Sequence, residues 1–159
     1  MEKKRKTIGC IINQLYHRYQ GMIYPGIMDG AEKRDYNLIS FAGKPLNSLS
    51  TFENQENIIY KLACEKSIDG ILILSGSIGN YLSAEELKIF CYRYKPLPTV
   101  CIAIPVEGIP SVCIDNKSGM RSIVTHFIKV HNYRNIAFIR GPVMNPEAEL
   151  RYNIYKEVL

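Results

Sequence analysis

The stretch Ile68-Asp69-Gly70-Ile71-Leu72-Ile73-Leu74 constrains the fold more than any other in the chain. An extended segment points alternate residues to opposite faces, so one that is apolar at every position after its glycine must be covered on both sides. It belongs inside a sheet with helices above and below. Similar short runs recur at Thr7 to Ile12, Asn37 to Ala42, Thr99 to Ile104, Ser111 to Ile114 and Asn135 to Ile139. Segments of helical period lie between them. Gly21 to Arg34 carries Ile23, Ile27, Ala31 and Arg34 on one face, and Asn54 to Lys66 is expected to bury Ile58, Ile59, Leu62 and Ala63. Another helix follows Ser83, with Glu85 and Glu86 in its first turn, and Pro96 and Pro98 stop it. Asp115 or Asn116 caps a helix whose apolar stripe is Met120, Ile123, Val124, Phe127 and Ile128, and Glu147 to Leu159 opens a last one. Strand, helix, strand with short connections predicts an α/β fold on a doubly wound parallel sheet.

Charge and cysteine usage exclude several classes. The formal charge is +5, but the first six residues, Met-Glu-Lys-Lys-Arg-Lys, supply +3 of it. They read as a basic leader on a near-neutral body, with no basic face for nucleic acid. The five cysteines are odd in number and without Cys-x-x-Cys spacing, which argues against a disulfide framework or zinc site and for a reducing, cytoplasmic setting. Cys10, Cys101 and Cys113 lie in apolar runs and are expected to be buried. The apolar run after the leader ends at Asn13, too short for a signal peptide or membrane span.

In a doubly wound sheet, ligands bind outside the carboxyl ends of the strands. The loop after the first strand holds Asn13, Gln14, Tyr16, His17, Tyr19 and Tyr24. Tyrosine rings of this kind suit a sugar or nucleobase face, and equally suit covering the core edge. Ser75-Gly76-Ser77 after the central strand offers hydroxyls and close backbone approach, or a plain tight turn. It is not a Walker loop, since no Gly-Lys-Ser/Thr follows, nor a dinucleotide fingerprint. A phospho-receiver would need an aspartate where Ser75 stands. No nucleophile motif, Cys/His pair, metal cluster or cofactor motif appears, so the chain reads as non-enzymatic. His126 reads as a packed histidine, and His131 suits the negative end of its helix.

Six motifs then occur in order: Thr7-Ile8-Gly9; Gly26-Ile27-x-x-Gly30-Ala31; Ile68-Asp69-Gly70-Ile71-Leu72; Ile109-Pro110-Ser111-Val112-x-x-Asp115-Asn116-x-x-Gly119; Ile136-Ala137-Phe138-Ile139-x-Gly141-Pro142; and Ala148-x-x-Arg151-Tyr152. Together they resemble the effector-binding domain of LacI/GalR-type transcriptional regulators, with its type I periplasmic-binding-protein fold. The resemblance implies two lobes with a small effector, usually a sugar or nucleoside, held between them. It divides the chain into the leader 1–6, a first lobe 7–134 and the start of a second lobe 135–159. By position, Arg151 matches the family arginine that reaches the ligand. Asn13, Gln14, Tyr16, Ser75 and Ser77 would line the first lobe, with Asp115 near the hinge. The implied partners are the effector, a second copy in a homodimer, and DNA only through a separate output domain; no cofactor or membrane is implied.

Two departures stand out. Asn13-Gln14-Leu15-Tyr16-His17 replaces an Asn-Pro-Phe-Phe-like segment, and no helix-turn-helix precedes Thr7. The apolar positions Leu150, Ile154 and Val158 run to the end without a cap, which predicts that the domain continues past Leu159. Pro96-Leu97-Pro98, Ile109-Pro110-Ser111, Val130-His131-Asn132 and Arg140-Gly141-Pro142 are similar to a subgroup in which such a domain heads a larger signalling protein, with a diguanylate cyclase, a histidine kinase or a C-terminal DNA-binding domain as its output. A stand-alone flavodoxin-like enzyme using Ser75 to Ser77 is the alternative from another class.

Overall fold

Five strands form one sheet in the order β2-β1-β3-β4-β5: Thr7–Asn13 (β1), Asn37–Gly43 (β2), Gly70–Ile73 (β3), Thr99–Ile102 (β4) and Ser111–Val112 (β5). Every pairing is parallel, so all carboxyl ends lie along one edge. The computed structural model describes residues 5–16, 18–141 and 145–159. Residues 1–4 of the leader, His17 of the first loop and Pro142 of the predicted Gly141-Pro142 turn lie outside the described residues.

The alternation of strand side chains builds two cores. Ile11, Phe41, Ile71, Ile73 and Cys101 pack on one face with Tyr60, Ile78, Leu87, Phe90, Cys91 and Tyr94. Cys10, Ile12 and Leu74 pack on the other against Ile23, Tyr24 and Ile27 of the helix Arg18–Glu32 (α1). The chain divides into two compact units, 1–112 and 113–159. The second holds two helices packed on each other, Asn116–Lys129 (α5) and Pro146–Val158 (α6).

The expected helix over Asn54 to Lys66 is instead a short α-helix, Thr51–Glu56 (α2), followed by a 3-10 helix, Asn57–Leu62. The Asn57 side chain explains the break. Its Oδ1 accepts from Lys44 N at 2.7 Å and its Nδ2 donates to Pro45 O at 3.3 Å, tying this point to the loop after β2. A 3-10 turn brings every third residue to the same side. Asn57, Tyr60 and Ala63 therefore face inward, while Ile58 and Leu62, expected inside, are 67% and 65% exposed. The Tyr60 hydroxyl donates to Lys44 O at 2.9 Å, and burial of its ring raises the phenol pKa.

Other boundaries differ by less. The tight loop expected over Ser75 to Asn80 contains one helical turn, Ser75–Ile78 (α3). The helix after Ser83 is Ala84–Tyr92 (α4), with Ser83 and Glu86 in a full capping box. Asn135 to Ile139 is not a strand, since no ladder partner pairs with it among the described residues. It packs against α6 instead, where Tyr155 donates to Ile136 O at 2.6 Å and Phe138 stacks on Tyr155.

Cys10, Cys91 and Cys101 are buried, whereas Cys113, expected inside, is exposed along with Cys64. Burial pushes the Cys10 thiol up to about 12, which keeps it protonated at neutral pH. Two of the five thiols are therefore expected to react with an alkylating reagent under native conditions, read by intact mass, and all five after unfolding.

Candidate functional site

The strand order reverses between β1 and β3, because the chain runs first to β2 on one side and then to β3 on the other. A crevice outside the carboxyl ends of two such strands is where open parallel sheets bind ligands. Two segments of the first unit meet the criterion, the loop after β1 and α3 after β3, and the turn after β4 is tied to α3 through Ser75.

After β1, Asn13 is buried and its Oδ1 accepts from the equally buried Gln20 Nε2 of α1. The backbone then turns through a left-handed residue, Gln14 at φ +46°, whose N–H donates to Gly43 O at 3.2 Å. Gln14 is exposed, and Tyr16 beyond it is fully so. The loop thus offers one fixed amide and one free aromatic ring. Tyr24 shares a 2.6 Å hydrogen bond with Ser40 Oγ and packs in the core, the covering role rather than the ligand-facing one.

After β3, Ser75 and Ser77 are both buried. The Ser75 hydroxyl lies 2.8 Å from Ile102 O and 2.6 Å from Ile104 O, so it ties the end of β3 to the end of β4. Ser77 Oγ donates to Leu74 O at 3.0 Å, inside its own turn. Both hydroxyls are engaged with carbonyls. Ser75→Ala is expected to lower stability by about 1 kcal/mol, the net value of one such bond, in a denaturant titration.

Sequence reasoning missed the turn between these carbonyls. Ala103 adopts φ +81°, a conformation an alanine rarely takes, and nothing in an alanine codon position signals it. Backbone held this way concentrates at functional sites. Gly76 is its counterpart: a Cβ there would come within 2.5 Å of the Ala103 Cβ.

The second unit holds the other two predicted residues. Asp115 is the N-cap of α5, accepting from Ser118 N at 3.0 Å, and this bond holds its carboxyl below the usual range. Because the folded state favours the ionised form, that stabilisation is present above about pH 4 and fades as pH falls through the lowered value. Asp115→Asn keeps a good cap. It is expected to melt like the parent at pH 7 and to lose less stability as the pH falls below about 4.

Arg151 sits half-buried on α6, where its Nη1 donates to Asn116 Oδ1 at 2.9 Å. Asn116 Nδ2 in turn donates to Glu147 Oε1 at 3.0 Å. This relay fixes the guanidinium on its stem. In the sequence Asn116 was legible only as a possible cap and Glu147 only as the start of the last helix. Asn145 starts α6, accepting from Glu147 N and Ala148 N at 3.0 Å each, with Pro146 at the first helical position. Among the described residues no helix is long and apolar enough to cross a membrane, and no group of three or more His, Cys, Asp or Glu could hold a metal ion.

No family model matches the chain. It is 30% identical over 147 residues to catabolite control protein A of Priestia megaterium, covering 91% of this chain and 40% of that protein. It is 29% identical over 165 residues to the ribose operon repressor of Halalkalibacterium halodurans, covering 94% and 45%. Among solved structures, transcription regulator CcpA of Lactococcus lactis matches with a TM-score of 0.70 at 25% identity, over 98% of this chain and 54% of that one. The lac repressor dimer bound to operator and the anti-inducer ONPF matches with a TM-score of 0.75 at 18% identity, over 99% and 52%. The chain thus spans less than half the length of the curated relatives it matches. These relatives are named for regulation of transcription or catabolism. By sequence the chain is similar to part of these regulators, and its α/β fold on a parallel sheet is similar to that of the transcription regulator CcpA and the lac repressor, the type I periplasmic-binding-protein-like fold.

Proposed function

We propose that this chain is the small-molecule-sensing part of a cytoplasmic LacI-like regulator, with a sugar- or nucleoside-like effector. The observation that carries the reading is the reversal of strand order between β1 and β3, with Asn13 fixed and Tyr16 free at its carboxyl edge. Asn13 and Gln14 supply amides for hydroxyl groups, and Tyr16 supplies a ring for the apolar face of a sugar. Ser75 and Ser77 contribute by shaping the loop, since their hydroxyls serve its backbone. Arg151 provides a charged fork for vicinal hydroxyls or a carboxylate, and Asp115 orients the start of α5.

In this reading two lobes, residues 7–134 and a second beginning at 135, close on the effector. Closure is favoured only to the extent that the effector binds the closed form better. The output lies in a separate domain, which reaches DNA in a repressor or carries out signalling in a cyclase or kinase. The regulator acts as a homodimer. The test is a thermal-shift and calorimetric screen of the full-length protein against monosaccharides, disaccharides and nucleosides. A saturable shift for one class, reduced in Asn13→Ala, is expected. The absence of any shift, or a flavin seated at Ser75 to Ser77, would sink the reading, and a monomer in sedimentation would remove the homodimer.

A further inference from the structure

His126 and His131 are two of the three histidines in the chain, and the end of α5 brings them together. On a continuing helix, residues five apart point in different directions. Here α5 ends at Lys129, Asn132 turns through the left-handed region at φ +55°, and Tyr133 N returns to Phe127 O at 3.1 Å. Asparagine is one of the few residues suited to that turn. The fold-back lays His131 over His126. Their ring centroids lie 4.8 Å apart at 77°, and their Nε2 atoms are 3.1 Å apart. Tyr133 stacks on His131 at 5.2 Å and 18°, which holds that ring in place, and both histidines are exposed rather than packed.

Two imidazole nitrogens on one ion, each at the usual 2.0–2.1 Å, stand about 2.9 Å apart at a right angle and about 3.4 Å apart at the tetrahedral angle. The observed 3.1 Å lies between these values. The geometry points to a two-histidine site for a divalent transition metal, Cu2+, Ni2+ or Zn2+, with Nε2 of His126 and His131 as its protein ligands. Water fills the remaining positions, since no third ligating side chain joins them among the described residues. Such an ion clips the segment 130–133 to the last turn of α5. Imidazole nitrogens favour these metals over Mg2+ or Ca2+.

The test uses the full chain with Cys64→Ser and Cys113→Ser, which removes the exposed thiols as competing ligands. Calorimetric titration is expected to give one site per chain, tighter for Cu2+ than for Ni2+ or Zn2+. In NMR spectra, substoichiometric Ni2+ or Cu2+ broadens the His126, His131 and Tyr133 signals first. His126→Gln and His131→Gln each lower affinity roughly 10-fold or more, because the chelate is lost, whereas His17→Gln leaves it unchanged. Asn132→Gly preserves the turn and the binding, and Asn132→Val weakens both. Circular dichroism checks that each variant is folded. Equal affinity in His131→Gln, or broadening centred elsewhere, would overturn the site and leave the pair as a plain imidazole–imidazole hydrogen bond.

Discussion

Gly76→Val is expected to destabilise the chain by about 3 kcal/mol, the upper end of what overpacking a close-packed position costs. The first carbon of any side chain at Gly76 falls within 2.5 Å of the Ala103 Cβ. Ala103 has little room to yield, because its backbone already sits at φ +81° and its neighbours Ile102 and Ile104 are tied to Ser75. Gly76→Ala is expected to show the same effect in smaller measure. Guanidinium unfolding of the two variants measures it. A midpoint unchanged in Gly76→Val would mean that the turn after β4 moves freely, which contradicts the tie through Ser75.

Arg151→Ala is the second large effect, and it falls on binding. Hydrogen bonds to a charged group contribute about 1.5–3 kcal/mol, so effector affinity is expected to fall roughly 10- to 100-fold. Arg151→Lys keeps the charge but loses the two-pronged geometry, and should recover only part of the loss. Asn116→Ala tests the relay: the guanidinium remains but loses its anchor, so affinity drops less than in Arg151→Ala. These affinities are measured by calorimetry on the full-length protein with the effector that the screen identifies. Equal affinity in parent and Arg151→Ala would remove Arg151 from the binding residues, while leaving the fold assignment intact.

The sheet was legible because each strand needs a run of apolar residues with few alternatives, and Ile71 to Leu74 satisfied that most fully. Helix starts were legible where a side chain caps them, as at Ser83 and Asp115. The break at Asn57 was not, because its cause is a bond to Lys44 and Pro45 across the fold, while periodicity registers only neighbours along the chain. Cys113 followed the same logic: an apolar run says that a residue suits a strand, but β5 ends at Val112 and leaves it outside. Of the candidate site, Asn13 and Tyr16 were visible as residue types suited to a ligand. The burial of Ser75 and the conformation of Ala103 depend on two strand ends meeting, which no local pattern records.

The parallel pairing of β1 with β3 has a consequence for biosynthesis. Ile8 pairs with Gly70 and Ile11 with Ile73, so one flank of the first strand stays unsatisfied until β3 has left the ribosome. At about 5–20 residues per second, the roughly 60 intervening residues take about 3–12 s to appear. Through that interval the backbone of Ile8 to Ile11 has no ladder partner on that flank, so the first strand can complete its pairing only after β3 has emerged.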